Sequence, residues 1–168
     1  MSLLPTLPFA NPTTSFFGPS PAYASFSSTQ TQAIVPGVAT PITYDTTDLQ
    51  PVGIVQGPSP DAITVLNSGV YRILTSLQCD NTAAGPAEDL NMFLKVGVNN
   101  LPNSATRVAI NQNQETVMTV EWIVPLTAGQ FVSVTCSSAV VGLRALAVAA
   151  AGVTPAIPSI ITVVQRIA

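Results

Sequence analysis

The sequence has no histidine, and Lys95 is its only lysine. Without histidine, neither a Ser–His nor a Cys–His nucleophile can be assembled, and the commonest metal ligand is missing. Charged residues make up 8% of the chain, against about a quarter in an ordinary globular domain. Five Lys/Arg residues within a net charge of −3 cannot build the basic footprint that nucleic acid requires. The two cysteines, Cys79 and Cys136, are too few for the disulfide framework of a small secreted domain. They also lack the CxxC spacing of a metal site. They read as buried apolar strand residues. Gly-rich phosphate loops are absent, as is any convincing 3.6-residue period; Ala145–Ala151 is the sole helix candidate, and Gly152 limits it. No metal or cofactor is expected, and no enzyme.

Long unbroken apolar runs are scarce as well. Ala145–Val164 imitates a membrane span in length and apolarity, but Gly152, Pro155 and Pro158 interrupt it. A small-residue loop followed by a final strand fits it better, so no membrane partner is expected. What the chain has instead is 47% apolar residues together with Thr, Ser, Asn and Gln. At 168 residues it is one domain, able to bury roughly two-thirds of its extended surface. So few solubilising charges imply that much of the folded surface meets other protein.

The clearest signal is Ile63–Asp80, ITVLNSGVYRILTSLQCD. A short apolar run turns at Asn67-Ser68-Gly69 and continues as an alternating strand from Val70 to Cys79. Tyr71, Ile73, Thr75, Leu77 and Cys79 fall on one face; Val70, Arg72, Leu74, Ser76 and Gln78 fall on the other. Both faces are half apolar, as in a central strand covered on both sides. Further strands are predicted at Tyr23–Ser28, Val52–Gln56, Leu90–Val98, Arg107–Ile110, Thr116–Pro125, Phe131–Cys136 and Ser159–Ile167. Thr29–Val35 and Pro41–Tyr44 read as extended. Within Thr116–Pro125, Met118, Val120, Trp122 and Val124 share the core face, opposite Val117, Thr119, Glu121 and Ile123. Asp45 and Asp48 flank a Thr-Thr turn, and Glu88-Asp89 reads as part of a loop. Eight to ten strands at near-regular spacing indicate an all-β, antiparallel two-sheet jelly-roll sandwich over residues 23–168.

Residues 1–22 hold five prolines and no period, which predicts an extended arm. It reads either as a flexible tail or as an arm whose apolar residues Leu3, Leu4, Leu7, Phe9, Phe16 and Phe17 dock on a neighbouring subunit. It has no basic region and no uninterrupted apolar core, so a signal peptide is not expected.

Three stretches carry a family resemblance. Ile63-Thr-Val-Leu-Asn-Ser-Gly-Val-Tyr-Arg-Ile resembles an "apolar–x–apolar–x–x–x–Gly–x–Tyr" segment. Val124-Pro-Leu-Thr-Ala-Gly-Gln-Phe-Val-Ser-Val resembles a "leucine–x–x–Gly–Asp–x–Val" segment, with Gln130 in the Asp position. Pro158-Ser-Ile-Ile-Thr-Val-Val-Gln resembles a closing C-terminal strand. Together they are similar to the jelly-roll domains of the tumour necrosis factor and complement globular-head superfamily, whose relatives occur in virus and phage particles. The resemblance implies two five-stranded sheets and a homotrimer, and it does not imply an enzyme. The family's aromatic-rich interface is thin here, with six Phe, three Tyr and one Trp in all.

The implied trimer interface is Val70, Arg72, Leu74, Val117, Thr119, Glu121 and Ile123, with Arg72 beside Glu121. The functional expectation is a structural virion protein, a minor capsid or cement component. It would be made in the host cytoplasm, trimerise and bind other capsid proteins. The alternative is the head of a surface or fibre protein that binds a receptor or carbohydrate; for a sugar platform, Tyr23, Tyr44, Tyr71 and Trp122 are the aromatic candidates.

Overall fold

Thirteen residues of alternating pattern, Gly69–Asn81, form the longest strand of the fold. The computed structural model describes residues 21–168. In chain order the first strands are β1 (Tyr23–Ser28), β2 (Gln32–Ala33), β3 (Thr40–Pro41), β4 (Thr46–Val52), β5 (Ile54–Gln56), β6 (Ile63–Val65) and β7 (Gly69–Asn81). They are followed by β8 (Glu88–Val96), β9 (Asn99–Asn100), β10 (Thr106–Ile110), β11 (Glu115–Leu126), β12 (Phe131–Ser137), β13 (Leu143–Ala145) and β14 (Ile160–Arg166).

Two antiparallel sheets result. The long strands of the first lie in the order β11-β7-β14-β1-β4, and β13 with β2 extends it beside the far end of β7. The second runs β10-β8-β12-β6-β5, with β3 on β12 and β9 on β8. Each sheet therefore holds the five strands implied by the resemblance plus two short additions.

The core lies between the sheets because each long strand alternates. Tyr71, Ile73, Leu77 and Cys79 of β7 point inward with Phe26 of β1, Trp122 of β11 and Val164 of β14. Leu90, Met92 and Leu94 of β8 face them, with Val132, Val134 and Cys136 of β12. Fully burying one such aliphatic side chain stabilises by about 1.5–3 kcal/mol. A polar thread crosses this core: the Thr162 hydroxyl lies 2.9 Å from both the Tyr44 hydroxyl and Thr75 Oγ1. Burial pushes the Tyr44 phenol well above its ordinary range. Both cysteines are buried and unpaired.

Several expected boundaries move. The strand predicted at Val52–Gln56 is split at Gly53, whose φ of +66° turns the chain from β4 in the first sheet to β5 in the second. A glycine suits that crossing, since left-handed backbone disfavours a Cβ and one at Gly53 would lie 3.0 Å from Ala22 Cβ. The Asp45–Asp48 turn is instead the start of β4. Its carboxylates hold hydroxyls, with Thr29 Oγ1 donating to Asp45 at 2.8 Å and Ser27 Oγ donating to Asp48 at 2.8 Å. Glu88 and Asp89 open β8 and are not in a loop; Asp89 pairs with Arg107 at 3.1 Å.

Further along, β8 ends at Val96 because Gly97 turns with φ +60°. Val98, expected on the core face, is thereby thrown into solvent. Of Thr29–Val35, only Gln32–Ala33 pairs, against β13. The helix candidate Ala145–Ala151 is not helical: β13 ends at Ala145, and a narrow hairpin follows, bridged at Val148–Ile157 and Ala151–Thr154. Among the described residues, no helix is long and apolar enough to cross a membrane.

Candidate assembly face

The outer face of the first sheet is built by the residues between the core positions. Register sets them in rows across β11, β7, β14 and β1. One row is Ile123, Arg72, Gln165 and Tyr23; the next is Glu121, Leu74, Val163 and Ser25, continued by Leu49 of β4. A third is Thr119, Ser76, Ile161 and Ser27. Beyond it stand Val117 and Gln78.

Much of this face is apolar and open. Val117 is 56% exposed, Ile123 62% and Leu49 46%, with Tyr23, Ile161 and Val163 each above a third. Scattered apolar residues on a surface need no account, but contiguous rows of them mark interaction surfaces. Five strands spaced about 4.8 Å apart and eight residues rising about 3.3 Å each span roughly 24 Å by 26 Å, about 600 Å².

Charge is almost absent from these rows. Arg72 Nη2 donates to Glu121 Oε2 at 2.7 Å, and the two side chains are 45% and 40% exposed. The hydrogen bond to Glu121 holds the guanidinium above its ordinary pKa. Beside it, Thr119 Oγ1 donates to Ser76 Oγ at 3.3 Å. Charge reappears at the β4 edge, where Asp48 accepts from Ser27 Oγ, and at the far end, where Glu115, Asp80 and Arg144 form one row. There Arg144 grips Asp80 through two nitrogens, Nε to Oδ1 at 3.0 Å and Nη2 to Oδ2.

All seven residues expected at the interface, Val70, Arg72, Leu74, Val117, Thr119, Glu121 and Ile123, thus belong to one face, and the Arg72–Glu121 pair is formed. Sequence reasoning missed Ile161, Val163, Tyr23 and Leu49, which complete it. A signal existed for the first two: Ile160–Gln165 is apolar at both parities, as Val70–Cys79 is. Leu3, Leu4, Leu7, Phe9, Phe16 and Phe17 lie outside the described residues. Of the aromatic platform candidates, Tyr44, Tyr71 and Trp122 are buried and only Tyr23 reaches the surface. No group of three or more potential metal ligands occurs among the described residues.

Comparison with known proteins places the fold. No protein-family model matches this chain, and no curated protein does. Among solved structures, that of murine APRIL at pH 5.0 superimposes with a TM-score of 0.57 at 8% identity, covering 88% of this chain and 99% of that one. The crystal structure of murine APRIL at pH 8.0 gives 0.54 at 9% identity with the same coverage. The globular domain of a zebrafish complement 1qA protein gives 0.52 at 12%, over 86% of this chain and 93% of that one. The chain has the same jelly-roll fold as these tumour necrosis factor-family and complement globular domains. At such identities the likeness is one of fold.

Proposed function

We propose that this chain is a structural assembly protein that works as a homotrimer, and that its setting is a virion. There it serves as a minor capsid or cement component that binds neighbouring capsid subunits. The observation that carries the proposal is the outer face of the first sheet, with its apolar rows and a single self-neutralised ion pair. Covering the rows on β11, β7 and β14 removes exposed apolar area and leaves no unpaired charge among them.

Its roughly 600 Å² falls a little short of the about 800 Å² per partner usual in a stable interface. Two neighbouring surfaces can supply the rest. One is the exposed hairpin that follows β13. The other is the segment before β1, which enters beside the Tyr23 row, where Arg166 N donates to Ala22 O at 2.8 Å. The role needs no catalysis, in keeping with a chain that lacks histidine.

Light scattering on purified protein at micromolar concentration tests the trimer. Three times 17.4 kDa is expected for the native chain and a monomer for Ile123→Arg; a native monomer overturns the reading. Mass spectrometry of purified particles tests the setting, since the chain must co-purify with them. Deleting residues 1–22 should leave the trimer folded but weaken its incorporation, whereas unfolding would assign the arm to the core.

A further inference from the structure

On the opposite side of the sandwich, the outer face of the second sheet holds a pocket of about 290 Å³. Asn91 and Phe93 of β8, Ser137 of β12, and Asn100, Leu101 and Asn103 of the β9–β10 region line it. From this lining we infer that the pocket binds a neutral sugar ring.

The lining pairs an apolar floor with hydrogen-bonding groups that the fold leaves unused. Phe93 and Leu101 are half-buried and supply the floor. Among the described residues, the amides of Asn100 and Asn103 and the Ser137 hydroxyl make no side-chain hydrogen bond. Asn91 spends only its Nδ2, which donates to Ser137 O at 3.3 Å. Each free amide offers two donors and one acceptor. No charged side chain lines the pocket, so an ionic ligand finds no counter-charge. A wholly apolar ligand would strip water from the amides without replacing it. A ligand with an apolar face and a rim of hydroxyls satisfies both parts, and that is the chemistry of an uncharged sugar. The volume lies at the lower edge of the roughly 300–1,000 Å³ of ordinary ligand clefts, which is room for one ring.

The loop that presents the amides is fixed from beneath. Trp122 Nε1 donates to Ser104 O at 2.9 Å. Ser104 Oγ accepts from Leu94 N at 3.1 Å and donates to Leu101 O at 2.7 Å. Asn103 sits in the left-handed region with φ +59°. Binding therefore need not order the loop, which is the usual cost of a flexible site. The larger groove of about 790 Å³, beside the hairpin, lacks these properties. Its hydroxyls are already committed: Ser27 to Asp48, Thr29 to Asp45, and Thr31 to Ala147 O.

The test is an amide NMR titration of the intact protein with glucose, galactose, mannose and N-acetylglucosamine, with sialic acid and an uncharged peptide as controls. At least one neutral sugar should shift the side-chain amides of Asn100 and Asn103, with millimolar affinity. Phe93→Ala and Asn100→Ala should each weaken that binding about tenfold or more, the equivalent of one strong contact. Asn100 is exposed, so its variant gives a reading even if Phe93→Ala fails to fold. The inference is overturned if no neutral sugar shifts these signals, or if the shifts survive Asn100→Ala. It is also overturned if only sialic acid or the peptide produces them.

Discussion

Arg72 and Glu121 are 2.7 Å apart, although neither is the other's register partner: Arg72 faces Ile123, and Glu121 faces Leu74. The pair is diagonal, within reach of long side chains across adjacent strands. In a single chain it is solvated and contributes little. Within a covered face it becomes a desolvated pair, and removing one partner then leaves an isolated charge.

Arg72→Met or Glu121→Leu should accordingly shift the trimer toward monomer, while the double variant should regain much of the association. Concentration-dependent light scattering of all four proteins checks this. Small, additive effects would mean that the pair stays in water and that the trimer uses another face.

Two buried threonines should respond in opposite ways. Thr135 Oγ1 is buried with no hydrogen-bond partner among the described residues, so Thr135→Val should be neutral or stabilising. Thr162 serves both Tyr44 and Thr75, so Thr162→Val strands two hydroxyls and should cost about 1–3 kcal/mol. Urea unfolding of both variants decides it, and equal effects would contradict the hydrogen-bonding pattern.

Ser104→Ala should destabilise by about 1–3 kcal/mol, because it leaves the buried Leu94 N–H and Leu101 carbonyl without this partner. Trp122, the sole tryptophan, reports directly on that loop through its indole hydrogen bond to Ser104 O. Denaturant unfolding followed by its fluorescence gives the cost, and an unchanged midpoint would count against the pinned loop.

Acid should weaken the β1–β4 edge through Asp45. Burial pushes its carboxyl upward, but hydrogen bonds from the Thr29 backbone and hydroxyl and from Thr46 outweigh this and hold it below the ordinary 3.8. A carboxylate depressed in the folded state stabilises the fold above its unfolded pKa, and that contribution is lost as pH falls through the folded value. Melting temperature should therefore fall below about pH 4, and less so in Asp45→Asn. A parallel acid profile in the two proteins would remove Asp45 from the account.

The thiols should be inert in the native protein. Burial, with the nearby Asp80 charge, pushes Cys79 up to about 12, and burial drives Cys136 higher still. A thiol reagent at pH 8 should label both only on unfolding, since the thiolate is the reactive form. Rapid labelling of the folded chain would contradict their burial.

The long strands could be read from sequence because the core imposes a period of two on them. Tyr71, Ile73, Thr75, Leu77 and Cys79 are all buried as the alternation demands, and so are Met118, Trp122 and Val124. Strand β4, TTDLQPV, escaped because it is an edge strand, exposed or half-exposed throughout, and leaves no alternation to read. The assembly face was half visible, through β7 and β11. Its other half required knowing that β14 lies beside β7 and β1 beside β14, which pairing across some ninety residues in the first case and some 130–140 in the second decides. The pocket left no local trace, because Asn91 and Ser137 lie 46 positions apart.

The three-way pairing of β7 also determines the order in which the fold can open. Along nearly its whole length β7 is bonded to β11, and on its other side first to β14 and then to β13. Its amides alternate between the two flanks: those of Val70 and Gln78 donate on the β14 side, to Ala168 O and Ser159 O, and that of Asn81 donates on the β11 side, to Gln114 O. Peripheral strands such as β4 and β10, each paired on one side, can fray alone. Hydrogen exchange should thus be fast at those edges and slowest at Arg72, Leu74 and Ser76, whose amides point toward β14, itself held between β7 and β1, whereas the Ile73, Thr75 and Leu77 amides are released once the edge strand β11 separates.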